Sequence, residues 1–471
     1  MTYTRLMAKV LQSRDIAAFG IALFLAWVIA FFAAFLATHH YYFTLLVILS
    51  PLLVVTVLKY PWSGLLVFFA FDFVVGQFFS ELRFSGELKI MVVLLLVVSA
   101  VSRLVVGPKT LRLPKSLINP PMLLFLTIGL ESGILGWMHS NPPRSLQGDT
   151  FDYILVPLFF FSTLGTVRTR RQAYAVLSLS SLVLFYPLAR ELLAYRSSTF
   201  QTIGVWIGEL AVLRRILPIS SVMLFPLFIS LYLHSVDRKI KAISGLLALL
   251  TGACLILSFT RGYWLGSIAG VFFLLLFSKK KRQALLTLTL IGITMLVGTS
   301  LYTQSARLYE GNILGKLVIN HFSTLKGLSA DESAGLRLQE AKAALETVAS
   351  SPIIGLGQGA EFDNPIPGLG KHYTHNAYLA ILLRSGVIGL LAYGWLAISF
   401  VTIGVRGYRE LENELDKGIV LGIVSAFVAA SITSLSSPMI ITVTVSEYLG
   451  CWMGLAFVII KARKPEFITV R

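Results

Sequence analysis

The sequence has little charge and almost no cysteine. Charged residues are 13% of the 471 residues, about half of the roughly 25% that is usual in soluble domains. Hydrophobic residues are 56%, and the mean hydropathy is +0.79. Cys254 and Cys451 lie in apolar runs, so we expect two buried thiols and no structural disulfide. A wholly soluble protein of this length is excluded.

The common motifs of soluble catalytic sites are also missing. The sequence has no P-loop, no HExxH zinc motif, no paired CxxC and no GxSxG turn. It also lacks a DxD pair, with which many sugar-nucleotide transferases hold a metal ion. We therefore predict no metal site and no cofactor.

Long apolar runs fill most of the chain. They are continuous, as in LLVFFAFDFVV and MVVLLLVV, whereas a β-barrel would alternate apolar and polar residues. A spanning helix needs about 20 apolar residues, and the sequence predicts an all-α polytopic membrane protein with about 12–14 transmembrane helices. Residues 1–471 are predicted to form a single integral membrane domain, and the first span reads as a retained helix. The predicted spans lie near 16–37, 41–58, 62–80, 88–106, 120–138, 151–167, 173–194, 216–235, 241–259, 262–278, 284–302, 375–403, 418–436 and 443–460.

Basic residues orient these spans. The formal net charge is +17, but Lys and Arg of a membrane protein usually mark its cytoplasmic loops, so no nucleic-acid partner is predicted. With the N-terminus inside, 25 of the 40 Lys and Arg residues fall in cytoplasmic segments, including KKKR at 279–282 and RTRR at 168–171. The alternation predicts that both termini are cytoplasmic and that residues 303–374 form one long outer loop.

The outer loop is predicted to be partly helical. Apolar residues of SAGLRLQEAKAALETVAS recur at helical spacing, and Pro352 follows where a helix must stop. The next stretch, IIGLGQGAEFDNPIPGLG, is rich in Gly and Pro and reads as loop. Residues 195–215 form a second outer segment.

Two histidines stand where the outer loop re-enters the membrane. His375 begins a predicted span, and an imidazole can take up a proton near neutral pH. The alternative is an interfacial histidine that only caps a helix end. His372 and His375 form an HxxH pair, but no acidic residue stands at a matching spacing, so a metal site is not favoured.

Several arginines are predicted to lie on the same outer side. Arg261 sits between two adjacent spans, where a guanidinium suits phosphate through its forked donors. The alternative is an arginine that extends its charge to the membrane surface, although positive charge is not expected on the outer flank. The same reasoning applies to Arg214 and Arg215, and Arg337 on the loop helix could instead face water.

Two charges fall inside predicted spans. Arg384 lies nine residues into its span, and Asp72 lies in the third span. A charge at the middle of the bilayer costs roughly 2.5–3.5 kcal/mol on insertion scales, so Arg384 needs a partner or a wet cavity.

Three stretches of the second half resemble motifs of the O-antigen ligase/polymerase superfamily. They are SFTRGYWLGSIAG, LRLQEAKAALETVASSPIIGLGQGAEF and HNAYLAILLRSGVIGLLAY, within a motif region of about 255–405. Their order and spacing carry the resemblance, whereas the first half is similar only in being hydrophobic. Family members often have Glu where this chain has Arg384, which puts any helix-pairing role of that Glu in doubt here.

The resemblance implies a GT-C-like membrane glycosyltransferase without metal or cofactor. Such an enzyme moves a glycan from undecaprenyl pyrophosphate to an acceptor hydroxyl at the periplasmic face of the bacterial inner membrane, with inversion of configuration. By correspondence, His375 is the essential His and Arg261 the conserved Arg. Arg337 begins the loop helix, and Arg214 and Arg215 lie where ligases place further arginines. These four arginines would bind pyrophosphate.

The sequence leaves the acceptor open. A ligase uses a lipid A–core sugar, a polymerase uses a second lipid-linked repeat, and a protein glycosylase uses a Ser or Thr side chain; the ligase is favoured. A polytopic lipid or solute transporter is the alternative from another class. It would account for Arg384 and Asp72, but it would not need His375 beside a long outer loop, and no internal repeat is present.

Overall fold

A computed structural model describes most of the chain after residue 116. The described residues are 56–57, 59–78, 117–194, 204–207, 210–214, 219–258, 260–280, 283, 285, 332–366 and 368–462. The predicted spans near 16–37 and 88–106 lie outside them, as do nearly all residues of the spans near 41–58 and 284–302.

Helices dominate the described residues. In chain order they are α1 (Ser63–Phe78), α2 (Asn119–Met138), α3 (Pro143–Thr166), α4 (Arg170–Ala194), α5 (Ile219–His234), α6 (Arg238–Leu257), α7 (Arg261–Phe277), α8 (Glu332–Val348), α9 (Ala377–Glu410), α10 (Glu414–Thr433) and α11 (Val443–Lys461). A 3₁₀ turn covers Met439–Ile441. Strands β1 (Gly204–Ile207) and β2 (Leu210–Arg214) form an antiparallel hairpin in which Gly204 pairs with Arg214.

The helices agree with the predicted spans. Among the described residues, five helices are long and apolar enough to cross a membrane: α2, α4, α6, α9 and α10. Shorter apolar helices lie in α1, α5 and α7. The predicted all-α polytopic membrane architecture is confirmed, and the hairpin is a small addition to it. The predicted loop helix is present as α8 and ends before Pro352.

The chain divides into two compact units. The first comprises residues 1–113 with 162–180, and the second comprises 114–161 with 181–471. In the first unit, α1 buries Phe68 and Phe69 side by side, with ring centroids 5.4 Å apart. The turn into α4 is capped by Gln172, whose Oε1 accepts from the backbone N–H groups of Arg168 and Thr169. The prediction of a single membrane domain stays a prediction.

In the second unit, a face of small residues joins α7 to α10. Gly266 and Gly270 of α7 lie directly on α10, and a Cβ at either would stand 2.6 Å from the Ala429 carbonyl oxygen and 2.7 Å from that of Ser425, respectively. Small residues let helix backbones approach closely where lipid provides no hydrophobic driving force. This packing fixes the start of α7 against the end of α10.

A polar cluster closes one end of four of these helices. His234 Nε2 at the end of α5 lies 3.4 Å from the Tyr408 hydroxyl in α9. Lys280, just after α7, forms an ion pair of 2.8 Å with Glu414 at the start of α10 and donates to the Leu233 carbonyl. These contacts tie α5, α7, α9 and α10 together at one end.

Helix α9 is broken near its first third. Gly386 has φ +63° and ψ −166°, which are not helical values, so residues 377–385 and 387–410 form two separate helices. A continuous helix of 34 residues would be about 51 Å long, well beyond the roughly 30 Å of a bilayer core. The predicted span near 375–403 is therefore a short helix followed by a long one, and Arg384 lies at the break.

Candidate active site

The Gly-rich loop after α8, which includes residues 352–359, fills the break in α9. The backbone N–H groups of Leu356 and Gly357 donate to the carbonyls of Leu383 and Arg384, at the end of the short helix. A helix end leaves such groups without partners, and lipid cannot supply any. The loop therefore replaces the hydrogen bonds that the break removes on the short-helix side.

The long helix begins against the same loop. The N–H groups of Val387 and Ile388 donate to the carbonyls of Pro352 and Ile353 at 2.9 Å and 3.2 Å. Gly386 fits because a Cβ there would stand 2.2 Å from the Ile353 carbonyl oxygen. Both new helix ends are thus held by one segment of loop backbone.

The loop is also held by α2 and α3. Gly357 has φ +88°, and a Cβ there would lie 2.2 Å from the backbone nitrogen of Gly136 in α2. Gln358 N–H donates to the Ser132 carbonyl, and Asn141 Nδ2 donates to the Gln358 carbonyl at 2.8 Å. The glycines of the loop serve a close backbone approach that a side chain would prevent.

Helix α8 packs on the short helix of α9. Their shared apolar cluster consists of Ala344, Val348, Ala360, Phe362, Leu379 and Leu383. Leu338 and Leu345, two apolar residues of the predicted pattern, are 73% and 50% exposed. The buried face instead runs through Glu340, Ala344 and Val348, which brings a carboxylate to the start of α9.

His375 stands at that start, in contact with Glu340. Its Nδ1 lies 3.0 Å from Glu340 Oε2, and its backbone N–H donates to Glu340 Oε1 at 3.0 Å. The Glu340 side chain is 3% exposed and that of His375 is 24% exposed. Asn376 caps the helix by accepting from the N–H groups of Tyr378 and Leu379. His375 itself therefore does not cap the helix with its side chain.

Tyr373 and Arg337 complete this corner. The ring of Tyr373 stands edge-on to that of His375, with centroids 5.2 Å apart. Burial raises the pKa of the Tyr373 phenol and the Glu340 carboxylate raises it further, whereas Arg337 lowers it. The Arg337 charge thus acts on the Tyr373 phenol, and its predicted role in pyrophosphate binding stays a prediction.

Arg384 has a partner that the sequence did not reveal. Its Nη2 lies 2.9 Å from Asp149 Oδ1 in α3, and the two side chains are 6% and 7% exposed. Asp149 Oδ2 accepts from the Gly359 N–H, and Arg384 Nη2 also donates to the His372 carbonyl at 3.3 Å. The predicted need for a partner is met by a buried ion pair beneath the loop.

The backbone next to Arg261 and the backbone next to His375 both contact residues 433–434, at the end of α10. The carbonyl of Gly262, next to Arg261, accepts from Thr433 Oγ1 at 3.4 Å. The N–H of Ala377, two residues after His375, donates to the Ser434 carbonyl at 2.9 Å. Arg261 is half-buried as the first residue of α7, where the helix N-terminus also favours anions.

Arg214 and Arg215 are the remaining predicted arginines. Arg214 is the last residue of β2, and Arg215 is outside the described residues. Their predicted role in pyrophosphate binding stays a prediction.

Sequence reasoning missed both carboxylates of the site. Glu340 carried a usable signal, since an acid four residues before Ala344 and eight before Val348 lies on their helix face. Asp149 was harder to predict from the sequence. The predicted span began at residue 151, whereas α3 begins at Pro143, so Asp149 was placed outside the helix. Neither pairing follows from spacing, since each joins two separate helices.

A family model supports the resemblance inferred from the motifs. Residues 246–394, less than half of the chain, match the model described as O-antigen ligase. The matched range contains Arg261, Arg337 and His375. Comparison with curated proteins gives no match. The resemblance to the O-antigen ligase superfamily is confirmed, and with it a membrane glycosyltransferase of the ligase/polymerase type.

Proposed function

From this family match, we propose that the protein transfers a glycan from undecaprenyl pyrophosphate to an acceptor hydroxyl, as an O-antigen ligase with lipid A–core as acceptor. The observation that carries the proposal is His375, a partly exposed imidazole held by a buried carboxylate. It shares the Thr433–Ser434 segment with the start of α7, where Arg261 stands. A base and a phosphate-binding cation at one end of a helix bundle suit transfer from a pyrophosphate donor.

His375 accepts the proton of the acceptor hydroxyl as its oxygen attacks the anomeric carbon. General-base catalysis of this kind contributes typically about 10²–10⁴-fold. The bond from the anomeric carbon to the pyrophosphate oxygen breaks on the opposite face, which inverts the configuration. The electron pair leaves with the pyrophosphate.

Arg261 stabilises the charge that grows on the leaving pyrophosphate. The N-terminus of α7 adds to its attraction for an anion. Arg337, Arg214 and Arg215 contribute further positive charge to donor binding. These cations replace the divalent ion of many sugar transferases, so the reaction needs no metal.

The site faces the periplasm of a bacterial inner membrane, and both termini are cytoplasmic. The contacts within the second unit agree with the predicted alternation. Segments predicted outside meet one another, as when the Gly-rich loop binds Asn141 after α2. Segments predicted inside also meet, as when Lys280 pairs with Glu414.

A reporter fused after residue 330 should be active only if it works outside the cytoplasm. Activity of a cytoplasm-only reporter there would overturn this topology.

Polymerase and protein glycosylase chemistry would use the same residues, so the acceptor must be measured. Purified protein is incubated with a lipid-linked oligosaccharide and, separately, with lipid A–core, a second lipid-linked repeat and a pilin-type protein. Transfer to lipid A–core alone is the expected result. Transfer to one of the others would reassign the enzyme within the superfamily, and no transfer to any would favour the transporter.

Substitutions of Arg261 and His375 should have different effects on donor binding and turnover. Arg261→Ala should weaken donor binding as well as turnover, and Arg261→Lys should restore it only in part, since an ammonium lacks the forked donors. His375→Ala should leave the donor bound. Donor affinity and single-turnover rate are measured for each variant, with Arg409→Ala at the far end of α9 as the control. Normal turnover of Arg261→Ala would refute its role.

A further inference from the structure

Glu340 is bound to a single residue through both of its oxygens. Oε1 accepts the backbone N–H of His375, and Oε2 lies 3.0 Å from Nδ1 of the same residue. The side chain is 3% exposed, and the apolar cluster between α8 and α9 fixes the helix that carries it. The carboxylate therefore has a defined position and two defined contacts.

These contacts determine which ring nitrogen of His375 carries the proton. An ionised carboxylate only accepts hydrogen bonds, and a neutral imidazole has one N–H and one acceptor nitrogen. Nδ1 must therefore be the donor to Oε2, which leaves Nε2 unprotonated. The hydrogen bond that one ring nitrogen makes sets the role of the other.

We infer that Glu340 is the positioning residue of His375, holding the ring as the Nδ1–H tautomer so that Nε2 is the basic nitrogen. This inference rests on the proposed function. In the transfer step the acceptor O–H proton moves to Nε2 while the oxygen bonds to the anomeric carbon and pyrophosphate departs. The resulting imidazolium keeps its Nδ1–H on the Glu340 carboxylate, and the added proton is later released from Nε2 to water.

The isosteric change Glu340→Gln separates this role from simple packing. A glutamine has one acceptor oxygen and one NH₂ donor, so it cannot accept from both N–H groups. If its oxygen keeps the backbone N–H of His375, its NH₂ faces Nδ1 and drives the ring proton to Nε2. The variant fills the same volume but blocks the nitrogen that must act as base.

The first measurement is the ¹⁵N spectrum of histidine-labelled full-length protein in detergent, at a pH where the ring is neutral. His375→Gln identifies the signal. The wild-type spectrum should show an unprotonated Nε2 for His375, and Glu340→Gln should show a protonated one. A wild-type ring protonated on Nε2 would overturn the inference, and this result does not require that any Glu340 variant fold.

The second measurement is single-turnover transfer from the lipid-linked donor. Glu340→Gln should slow turnover about 10²-fold or more while leaving donor affinity unchanged, because a wrong tautomer disables the base. Glu346→Gln, on an exposed part of the same helix, is the matched control and should behave as wild type. Normal turnover by Glu340→Gln would overturn the inference.

The two arms also separate this inference from the proposed function. If His375→Ala transfers normally while the wild-type ring is unprotonated on Nε2, the proposed base is wrong. The catalytic part of the inference is then refuted and the tautomer assignment remains. If His375→Ala is inactive but Glu340→Gln is not, the inference alone fails.

Discussion

Two carboxylates hold the two ends of the short helix in α9, and they do so with the same pattern of contacts. Each binds a basic side chain through one oxygen and a backbone N–H through the other. Glu340 binds the side chain and N–H of His375, and Asp149 binds the Arg384 side chain and the Gly359 N–H. The contacts of the two acids therefore do not by themselves distinguish a catalytic role from a structural one.

The two pairs differ in their exposure to solvent and in whether the basic side chain can still take up a proton. Arg384 and Asp149 are both almost fully buried, whereas His375 is 24% exposed and has a second ring nitrogen. A guanidinium stays charged and only donates, but an imidazole can take and release a proton. We therefore propose that the Arg384 pair stabilises the loop and that the His375 pair takes part in the reaction.

The largest expected effect comes from breaking the Arg384 pair. Asp149→Asn or Arg384→Met should each lower stability by about 3–5 kcal/mol, because an uncompensated charge or donor stays buried. The midpoint of thermal unfolding in detergent is the measurement. The double variant should lose less than the sum of the two changes. Additive losses would contradict a direct pairing.

The next largest effect is expected on the transfer rate, from breaking the Glu340–His375 pair. His375→Ala should slow single-turnover transfer by about 10²-fold or more, equivalent to ~2.7 kcal/mol in the barrier. Its thermal midpoint should fall less than that of Arg384→Met, because the ring is partly exposed and Glu340 keeps the backbone N–H of residue 375. Loss of stability as large as that of Arg384→Met would place His375 in the structural class instead.

A smaller effect is expected at the break between the two pairs. Gly386→Ala should destabilise the protein by about 1–3 kcal/mol, because Gly386 has a positive φ and its Cβ would meet the Ile353 carbonyl. Gly394→Ala, in the same long helix with open space around it, is the matched control and should be neutral or slightly stabilising. Equal unfolding midpoints for the two variants would argue against the break.

The smallest expected effect is that of a chelator. If arginines and His375 carry the electrostatics and the proton transfer, excess EDTA should leave the transfer rate unchanged. Loss of activity that a divalent ion restores would contradict the arginine mechanism, and it would require a metal site outside the residues discussed above.

The sequence alone predicted most of the described helices and the resemblance to the family. Apolar runs located the spans, helical spacing located α8, and the order of three motifs indicated the O-antigen ligase superfamily over the range that the family model matches. These features are local, because the length of an apolar run and the spacing of apolar residues along a helix depend only on residues that are close in sequence. The prediction that Arg384 needs a partner was local reasoning too, because a charge in an apolar run is costly wherever it points.

Only the tertiary structure decided the partners and the break. Glu340 and His375 are 35 residues apart in the chain, and they meet because α8 packs on the short helix of α9. A glycine in a helix costs only about 1 kcal/mol, so Gly386 did not predict a break by its presence. The break is stable because distant loop carbonyls and N–H groups replace the hydrogen bonds that it removes. Such compensation depends on where the chain returns in space, which spacing along the sequence does not specify.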